Sequence, residues 1–361
     1  MLKNVSLITK ISSKCNLNCK YCDADIYSNK LMDIKTLELI IKKSLNTFET
    51  INFIWHGGEP LTAGIPYFKE IVKFQEKHKN NYNNILNSVQ TNATLINDEW
   101  MHFFSKNNFN IGVSLDGPET IHDSNRIFKN NTRSHKAVLS GIRLIEKYTG
   151  RVGTISVITK NTLNCDPNHF LDFFIQNNIK EISLNWQKPK LNLNELDGLS
   201  KDDYSEFIKK LFDVWYKNNR SNIRIREFNA IIDLLLSKKT NFCILAGNCI
   251  GKYFGIDFKG NVYHCDEFMF DEKYNLGNIH ESSFDNIINN NRLTTLVNNN
   301  IINLSHLDCK WKTVCNGGCP KDRYVFDIQN NGRTVSCCGW SEIIDHINNT
   351  LNNSLSEILN C

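Results

Sequence analysis

Apolar and polar residues alternate along several short segments of the chain, and longer amphipathic segments lie between them. Every second residue from Val5 to Ile11 is apolar or β-branched, which predicts a first strand. Asp33 precedes a segment in which apolar residues recur at helical spacing from Leu37 to Phe48, so Asp33 is predicted to cap a helix. Further strands are predicted at residues 51–55, 85–90, 109–115, 151–158 and 180–185. Further helices are predicted at residues 66–79, 97–107, 133–148, 166–177 and 200–217.

Strand and helix thus alternate in six βα units, and this alternation requires a parallel sheet. Six units are too few to close an eight-stranded barrel. In parallel α/β folds, functional residues gather at the carboxyl ends of the strands. The 361 residues leave room for an α/β domain, predicted over residues 1–220, and a smaller cysteine-rich domain, predicted over residues 221–361.

The charge of the chain is balanced, with 42 Lys and Arg against 38 Asp and Glu and a net charge of +4. This well-mixed charge predicts neither a nucleic-acid nor a membrane partner. No secretory signal precedes residue 25 and no apolar run approaches the length of a membrane helix, so a cytoplasmic protein is predicted. Thirteen cysteines are unusual in a reducing compartment unless they bind metal.

Three of these cysteines lie within eight residues, as Cys15-x3-Cys19-x2-Cys22. A structural zinc ion takes four protein ligands, whereas three thiolates suit a four-iron cluster whose fourth iron stays open. With Tyr21 before the third cysteine, the segment resembles the signature of the radical S-adenosylmethionine (SAM) enzymes. The resemblance implies a partial (β/α)6 barrel, a 4Fe-4S cluster that binds SAM beside Tyr21, and a 5′-deoxyadenosyl radical that abstracts hydrogen.

A glycine pair follows the strand predicted at residues 51–55, in the sequence Gly57-Gly58-Glu59-Pro60. Two glycines let a backbone approach a ligand closely, although a Gly-Gly turn by itself is often only a turn. The segment resembles the GGEP motif of the radical SAM enzymes, which holds the amino group of SAM. Gly57, Gly58 and Glu59 are therefore predicted to bind the cofactor.

Polar residues also end later strands, and the resemblance gives roles to some of them. It implies that Ser114 and Arg126 contact SAM, groups that suit its hydroxyls and carboxylate. It further implies that Asp116 lies in the substrate cavity and that the backbone of Leu184 contacts the adenine. Gln90-Thr91-Asn92 is either a polar group facing the site or a simple turn at the end of a strand.

A second group of eight cysteines lies in the last third of the chain. Their spacing alone fits two zinc sites or two iron-sulfur clusters. The pattern resembles the SPASM extension of radical SAM enzymes that modify peptides and proteins, which implies two auxiliary 4Fe-4S clusters. The first cluster would be held by Cys243, Cys249, Cys265 and Cys319. The second would be held by Cys309, Cys315, Cys337 and His306.

His306 stands where the SPASM pattern requires a cysteine. An imidazole can ligate iron in such clusters. The alternatives are that Cys338 takes this place, that substrate occupies an open iron, or that the second cluster is degenerate.

Asp266 directly follows Cys265. In the anaerobic sulfatase-maturating enzymes, which the chain resembles in length and cysteine spacing, the Asp at this position is the proposed base that removes a proton from the substrate. Asp266 is therefore the predicted catalytic residue. A structural carboxylate next to a cluster is the plainer alternative.

The predicted function is oxidative modification of a ribosomally made peptide or protein by a radical SAM oxidoreductase. One outcome is a thioether, ether or carbon-carbon crosslink, which His306 and the lack of an aromatic residue after Cys22 favour. The other outcome is formylglycine in a sulfatase, which is favoured because no extra domain to bind a leader peptide precedes the first strand. A reductant such as flavodoxin or ferredoxin is the expected partner. A non-catalytic metal-binding regulator would explain the cysteines but not the motifs at the strand ends.

Overall fold

The computed structural model describes residues 4–22, 24, 29–188, 198–218, 222–305, 308–323 and 339–359. The chain divides into two compact units, each built from separate segments. The first contains Met1–Leu115, His122–Val152 and Ile250–Asn298, and the second contains Asp116–Ile121, Gly153–Cys249 and Asn299–Cys361. In the described part of the chain, no helix has the length and apolar character needed to cross a membrane.

Strands and helices alternate as the sequence predicts, and each predicted element lies within two residues of an observed one at both ends. The strands are β1 (Asn4–Ser12), β2 (Thr50–Gly57), β3 (Asn84–Thr91), β4 (Phe109–Ser114), β5 (Gly153–Ile158), β6 (Glu181–Trp186), β7 (Arg224–Ile225), β8 (Tyr253–Ile256), β9 (Asn261–His264) and β10 (Asn275–Asn278). The helices include α1 (Ile34–Thr47), α2 (Gly64–His78), α3 (Asp98–Lys106), α4 (Glu119–Asn125), α5 (His135–Thr149), α6 (Lys160–Leu163), α7 (Pro167–Gln176), α8 (Lys201–Lys217), α9 (Arg226–Leu235), α10 (Cys243–Ala246), α11 (Phe284–Ile288), α12 (Asn291–Ser305), α13 (Lys312–Cys315) and α14 (Ser341–Leu359).

The sheet of the first unit is parallel where the sequence predicts it. Strand β1 pairs with β2, β2 with β3 and β3 with β4, all in parallel. On its other edge, β1 pairs in parallel with β8 from the C-terminal third of the chain. Strand β8 then pairs antiparallel with β9, and β9 pairs antiparallel with β10. The position of β1 between β2 and β8 was not predicted from the sequence.

The two faces of β2 differ, and this difference locates the core. Ile51, Phe53 and Trp55 are fully buried, whereas the alternate residues of the strand are partly exposed. The buried face packs against α1 and α2 in one hydrophobic cluster. Helix α1 begins as predicted, because the side chain of Asp33 accepts a hydrogen bond from the Thr36 N–H.

The same hydrophobic cluster includes residues of the C-terminal third, among them Phe254 and Phe284. The rings of Phe48 and Phe284 meet edge to face, with their centroids 5.5 Å apart. This shared core explains why residues 250–298 belong to the first compact unit. The domain boundary near residue 220 stays a prediction, since the compact units are defined by packing and each combines segments from distant parts of the sequence.

The second unit has its own parallel strands and its own core. Strand β5 pairs with β6, and β6 pairs with β7. Helix α7 begins as predicted at Asp166-Pro167, with the Asp166 carboxylate accepting hydrogen bonds from two backbone N–H groups of the first turn. Helix α14 lies against α8, where His346 Nε2 is 2.7 Å from Asp213 Oδ1.

Candidate functional site

The loop after β1 holds the three cysteines of the first group. Cys15, Cys19 and Cys22 are all partly buried. The pKa of the Cys15 thiol is raised to about 12, mainly by burial, with smaller contributions from the nearby charges of Glu59, Cys19 and Cys22. The three thiols therefore lie close enough to repel one another as thiolates. Positively charged iron would relieve both the burial cost and the repulsion, so this donor set fits the 4Fe-4S cluster predicted from the sequence.

Backbone hydrogen bonds hold this loop against the segment that follows α4. The Asn18 N–H donates to the Ile127 carbonyl at 2.8 Å, and the Lys20 N–H donates to the Asn125 carbonyl at 2.9 Å. Arg126 lies between Asn125 and Ile127 in the sequence, and its guanidinium lies 5.2 Å from the centre of the Tyr21 ring. Two residues predicted to contact SAM are thus brought together beside the cysteines.

The glycine pair after β2 packs directly on the entrance to the cysteine loop. The Gly58 N–H donates to the Ser12 carbonyl at 2.6 Å, and the Glu59 N–H donates to the Lys14 carbonyl at 2.7 Å. A Cβ atom on Gly57 would lie 2.2 Å from the Ser12 carbonyl oxygen, and one on Gly58 would lie 2.4 Å from the Lys14 carbonyl oxygen. Both positions therefore require glycine, because the backbone packs directly on the entrance to the cysteine loop. The contact of Gly57 and Gly58 with the cofactor stays a prediction.

Glu59 is buried, and its carboxylate is held by three protein donors. One oxygen accepts from the Leu61 N–H at 3.0 Å and from the Thr91 hydroxyl at 2.7 Å. The other oxygen accepts from the Asn92 N–H at 2.7 Å. Burial raises the pKa of Glu59 to about 7, although these hydrogen bonds pull it in the opposite direction. The side chain joins the GGEP segment to the end of β3, and its predicted contact with SAM stays a prediction.

Replacing Glu59 by Gln is expected to lower the free energy of unfolding by about 1–3 kcal/mol, since in either orientation the new NH2 group faces a backbone N–H that loses its acceptor. Chemical denaturation under anaerobic conditions measures this loss. The matched control is Glu70→Gln on α2, where the carboxylate forms only an exposed ion pair with Lys73. Equal stability of the two variants would show that the three hydrogen bonds contribute nothing.

Asn92 decides between the two roles left open for the end of β3. Its side-chain NH2 donates to the Asn16 side-chain carbonyl at 2.9 Å, and the Asn16 NH2 donates to the Thr94 hydroxyl at 2.7 Å. Asn16 lies directly after Cys15, so the end of β3 orients the cysteine loop and is more than a turn. Asn16 was not predicted from the sequence as a functional residue, although its place between two cysteines was a signal.

Ser114 ends β4, and its hydroxyl oxygen accepts a hydrogen bond from the Gln90 side chain at 3.1 Å. Asp116 is fully buried and accepts a hydrogen bond from the Val157 N–H at 3.1 Å. This contact gives Asp116 a structural role within the second unit, which the sequence analysis did not foresee.

The backbone groups of Leu184 already have protein partners. Its N–H donates to a carboxylate oxygen of Glu227 at 3.0 Å, and its carbonyl accepts from the Tyr204 hydroxyl at 2.9 Å. A carbonyl oxygen can accept a second hydrogen bond. The predicted contact between Leu184 and the adenine stays a prediction.

Asp266 lies on a tight turn that follows β9. The Cys265 backbone has φ +62°, a strained conformation for a residue with a side chain, and its N–H donates to the Tyr253 carbonyl at 3.0 Å. The Cys265 thiol lies 3.2 Å from a carboxylate oxygen of Asp266. The turn therefore fixes the predicted base directly beside a predicted cluster ligand.

Within the second unit, two cysteine segments lie together. The pKa of Cys249 is raised to about 11, mainly by burial and in smaller part by the nearby charge of Cys243. The helix between them packs on the turn after Cys315, where the Asn316 NH2 donates to the Leu245 carbonyl at 2.8 Å. Thiols crowded in this way fit a thiolate-bound cluster.

The remaining predicted ligands are placed less fully. Cys309 and Cys319 flank α13 in the second unit, whereas Cys265 belongs to the first unit. His306, Cys337 and the alternative ligand Cys338 lie outside the described residues. The two ligand sets for the auxiliary clusters stay predictions.

Comparisons with known proteins agree with this geometry. Residues 9–174 match the family model of the Radical SAM superfamily, and residues 243–320 match the SPASM iron-sulfur cluster-binding domain. The chain is 31% identical to a cysteine-type anaerobic sulfatase-maturating enzyme of Clostridium novyi, over 89% of both chains. It is 28% identical to a serine-type anaerobic sulfatase-maturating enzyme of Bacteroides thetaiotaomicron, over 98% of this chain and 92% of the relative.

A solved structure extends the likeness to the fold. The structure described as native anSMEcpe with bound AdoMet and Cp18Cys peptide superposes with a TM-score of 0.82 at 30% identity, over 97% of this chain and 99% of that one. The chain therefore belongs to the radical SAM enzymes with a SPASM domain, a family that uses 4Fe-4S clusters and SAM and that includes the anaerobic sulfatase-maturating enzymes.

Proposed function

We propose that this enzyme oxidises a cysteine side chain of a protein substrate to formylglycine. The observation that carries the proposal is the 31% identity to a cysteine-type maturase over 89% of both chains. The structure of a relative with a bound cysteine peptide supports a peptide segment as the substrate. The serine-type relative is less similar, at 28% identity, so cysteine is the preferred target.

The proposed reaction removes two electrons from the substrate. A hydrogen atom leaves the Cβ of the cysteine, and one further electron and the thiol proton then leave to give a thioaldehyde. Water adds to the thioaldehyde, which releases hydrogen sulfide and leaves the aldehyde. When bound, SAM and the clusters supply the radical that takes the hydrogen atom and the acceptor for the second electron.

The side chains of the first unit divide this work. Cys15, Cys19 and Cys22 are proposed to hold the SAM-binding cluster. Further residues are proposed to orient SAM: Tyr21, Gly57, Gly58, Glu59, Ser114 and Arg126, with the backbone of Leu184. Asp266 is proposed to accept the thiol proton, since a carboxylate fixed beside the site can act as a general base. A small electron-transfer protein such as flavodoxin or ferredoxin is the proposed reductant.

A crosslink between substrate side chains is the second candidate function. One described residue favours it, because Ala24 stands where sulfatase maturases tend to have an aromatic side chain. The 31% identity to a cysteine-type maturase over 89% of both chains weighs more, so we rank formylglycine formation first.

Anaerobic incubation of the reduced enzyme with SAM and the Cp18Cys peptide tests the proposal. We expect the peptide cysteine to exchange its sulfur for a carbonyl oxygen, which mass spectrometry detects and a carbonyl-reactive probe traps. The control is the same peptide with the cysteine replaced by alanine. A product that has lost hydrogen but kept its sulfur would instead support a crosslink.

A further inference from the structure

His56, the residue before the glycine pair, lies on the open face of the first-unit sheet. It pairs in register with Lys10 of β1. Because side chains alternate along a strand, His56 points away from the helix-covered core that holds Trp55. It is also the last side chain of β2 before Gly57, at the carboxyl end of the strand where functional residues of parallel sheets gather.

The hydrogen bonding of His56 fixes which ring nitrogen carries the proton. The Gly57 N–H donates to His56 Nδ1 at 2.8 Å. Nδ1 is therefore an acceptor, and the neutral ring carries its hydrogen on Nε2. Burial and the positive charges of Lys10 and Arg126 lower the pKa of His56, while Asp266 opposes them. The ring is thus a neutral donor at physiological pH.

The Nε2–H group of His56 has an open position in front of it. Within the described residues, no acceptor lies in hydrogen-bond reach of Nε2. Nε2 is also not one of the fully buried polar atoms without a partner, so a ligand can reach it. A donor that is half-buried but reachable gains stability when a ligand supplies an acceptor.

The surroundings of His56 identify the class of that ligand. Asp266 and Arg126 both lie close enough to act on the ring electrostatically. Lys10 stretches beside it toward the Phe270 ring, with Nζ 5.5 Å from the ring centre. An anionic ligand group would bind more strongly to the side chains of Lys10 and Arg126 than to His56. A neutral donor beside the proposed base suits a neutral acceptor, and the backbone carbonyl of a peptide is one that must be satisfied when it leaves water.

We propose that His56 is a substrate-binding residue whose Nε2–H donates to a backbone carbonyl of the bound peptide, next to the residue that is modified. This inference rests on the proposed function, because it requires a peptide at Asp266. It gives His56 a part in placing the target side chain, in addition to the GGEP backbone that follows it.

Two substitutions of His56 test the roles of the two ring nitrogens separately. In His56→Gln the side-chain NH2 reaches the position of Nε2 and keeps a donor there. In His56→Asn the side-chain carbonyl can still accept from the Gly57 N–H, but no donor reaches the Nε2 position. We expect His56→Asn to raise the peptide KM about tenfold, the effect of one lost hydrogen bond, and His56→Gln to stay within about threefold of wild type.

The assay uses the full-length reconstituted enzyme with SAM and the Cp18Cys peptide, and records the peptide KM, the Kd for SAM and the ratio of modified peptide to 5′-deoxyadenosine. His102→Asn on the surface of α3 is the matched control and should behave as wild type. Equal losses in the Asn and Gln variants would overturn the inference in favour of a structural role. A weaker Kd for SAM at constant peptide KM would overturn it in favour of a cofactor contact. An unmodified peptide with the wild-type enzyme would refute the proposed function itself, whereas wild-type behaviour of His56→Asn would refute only this inference.

Discussion

Replacing Cys22 by Ala is expected to abolish cleavage of SAM. The two remaining thiolates and the methyl group of alanine cannot ligate all three irons of the cluster that require a protein ligand. The measurement is the amount of 5′-deoxyadenosine formed by the reduced enzyme under anaerobic conditions. The control is Cys165→Ala, which removes a partly buried thiol outside both cysteine groups and should leave SAM cleavage intact. Cleavage that persists in Cys22→Ala would remove Cys22 from the cluster.

Iron and sulfide analysis of the wild-type enzyme and of a triple cysteine variant counts the clusters. Three clusters predict about 12 iron atoms per wild-type chain and about 8 after Cys15, Cys19 and Cys22 are all replaced by Ala. Counts of about 8 and 4 would mean that the site predicted around Cys309, Cys315, Cys337 and His306 does not form. Mössbauer spectra distinguish these clusters from other iron.

Replacing Asp266 by Ala is expected to leave SAM cleavage in place while lowering product formation by about 10²–10⁴-fold, the usual contribution of a general base. The physical reason is that hydrogen abstraction does not require the carboxylate, whereas loss of the thiol proton does. The measurement compares 5′-deoxyadenosine with modified peptide in one reaction. Asp266→Asn should behave like Asp266→Ala, because an amide keeps the shape but cannot take the proton.

A nearby carboxylate provides the control for local folding. Asp271 accepts a hydrogen bond from the Lys273 N–H at 3.1 Å in the next short turn and has no proposed part in the chemistry. Asp271→Ala should keep both SAM cleavage and product. Product at the wild-type level in Asp266→Ala would exclude Asp266 as the base.

Much of the fold could be predicted because its signals are local. The cap at Asp33 and the cap with proline at Asp166-Pro167 act within one turn, and the period of two in β2 reflects one covered face. The pairing of β8 with β1 was not predictable. It joins residues about 250 positions apart, and β8 is only four residues long, too short for a clear period.

The site divides in the same way. Cys15, Cys19, Cys22 and the GGEP glycines could be found because each group forms a short motif of contiguous residues. The role of Asn16 depends on Asn92, far away in the sequence, and becomes visible only when β3 is placed beside the loop. Burial of Asp116 likewise depends on β5, which no local pattern reveals.

The position of β1 between β2 and β8 has a consequence for biosynthesis. Residues 4–12 are synthesised long before their partner strand at residues 253–256, which is made only about 250 residues later. Until then, one side of β1 presents unpaired N–H and C=O groups that could pair with another chain. While the residues between β1 and β8 are being made, the nascent chain therefore has an open sheet edge beside the cysteine loop. We expect the yield of folded enzyme to depend on chaperones and on the rate of translation, and not only on the stability of the folded state.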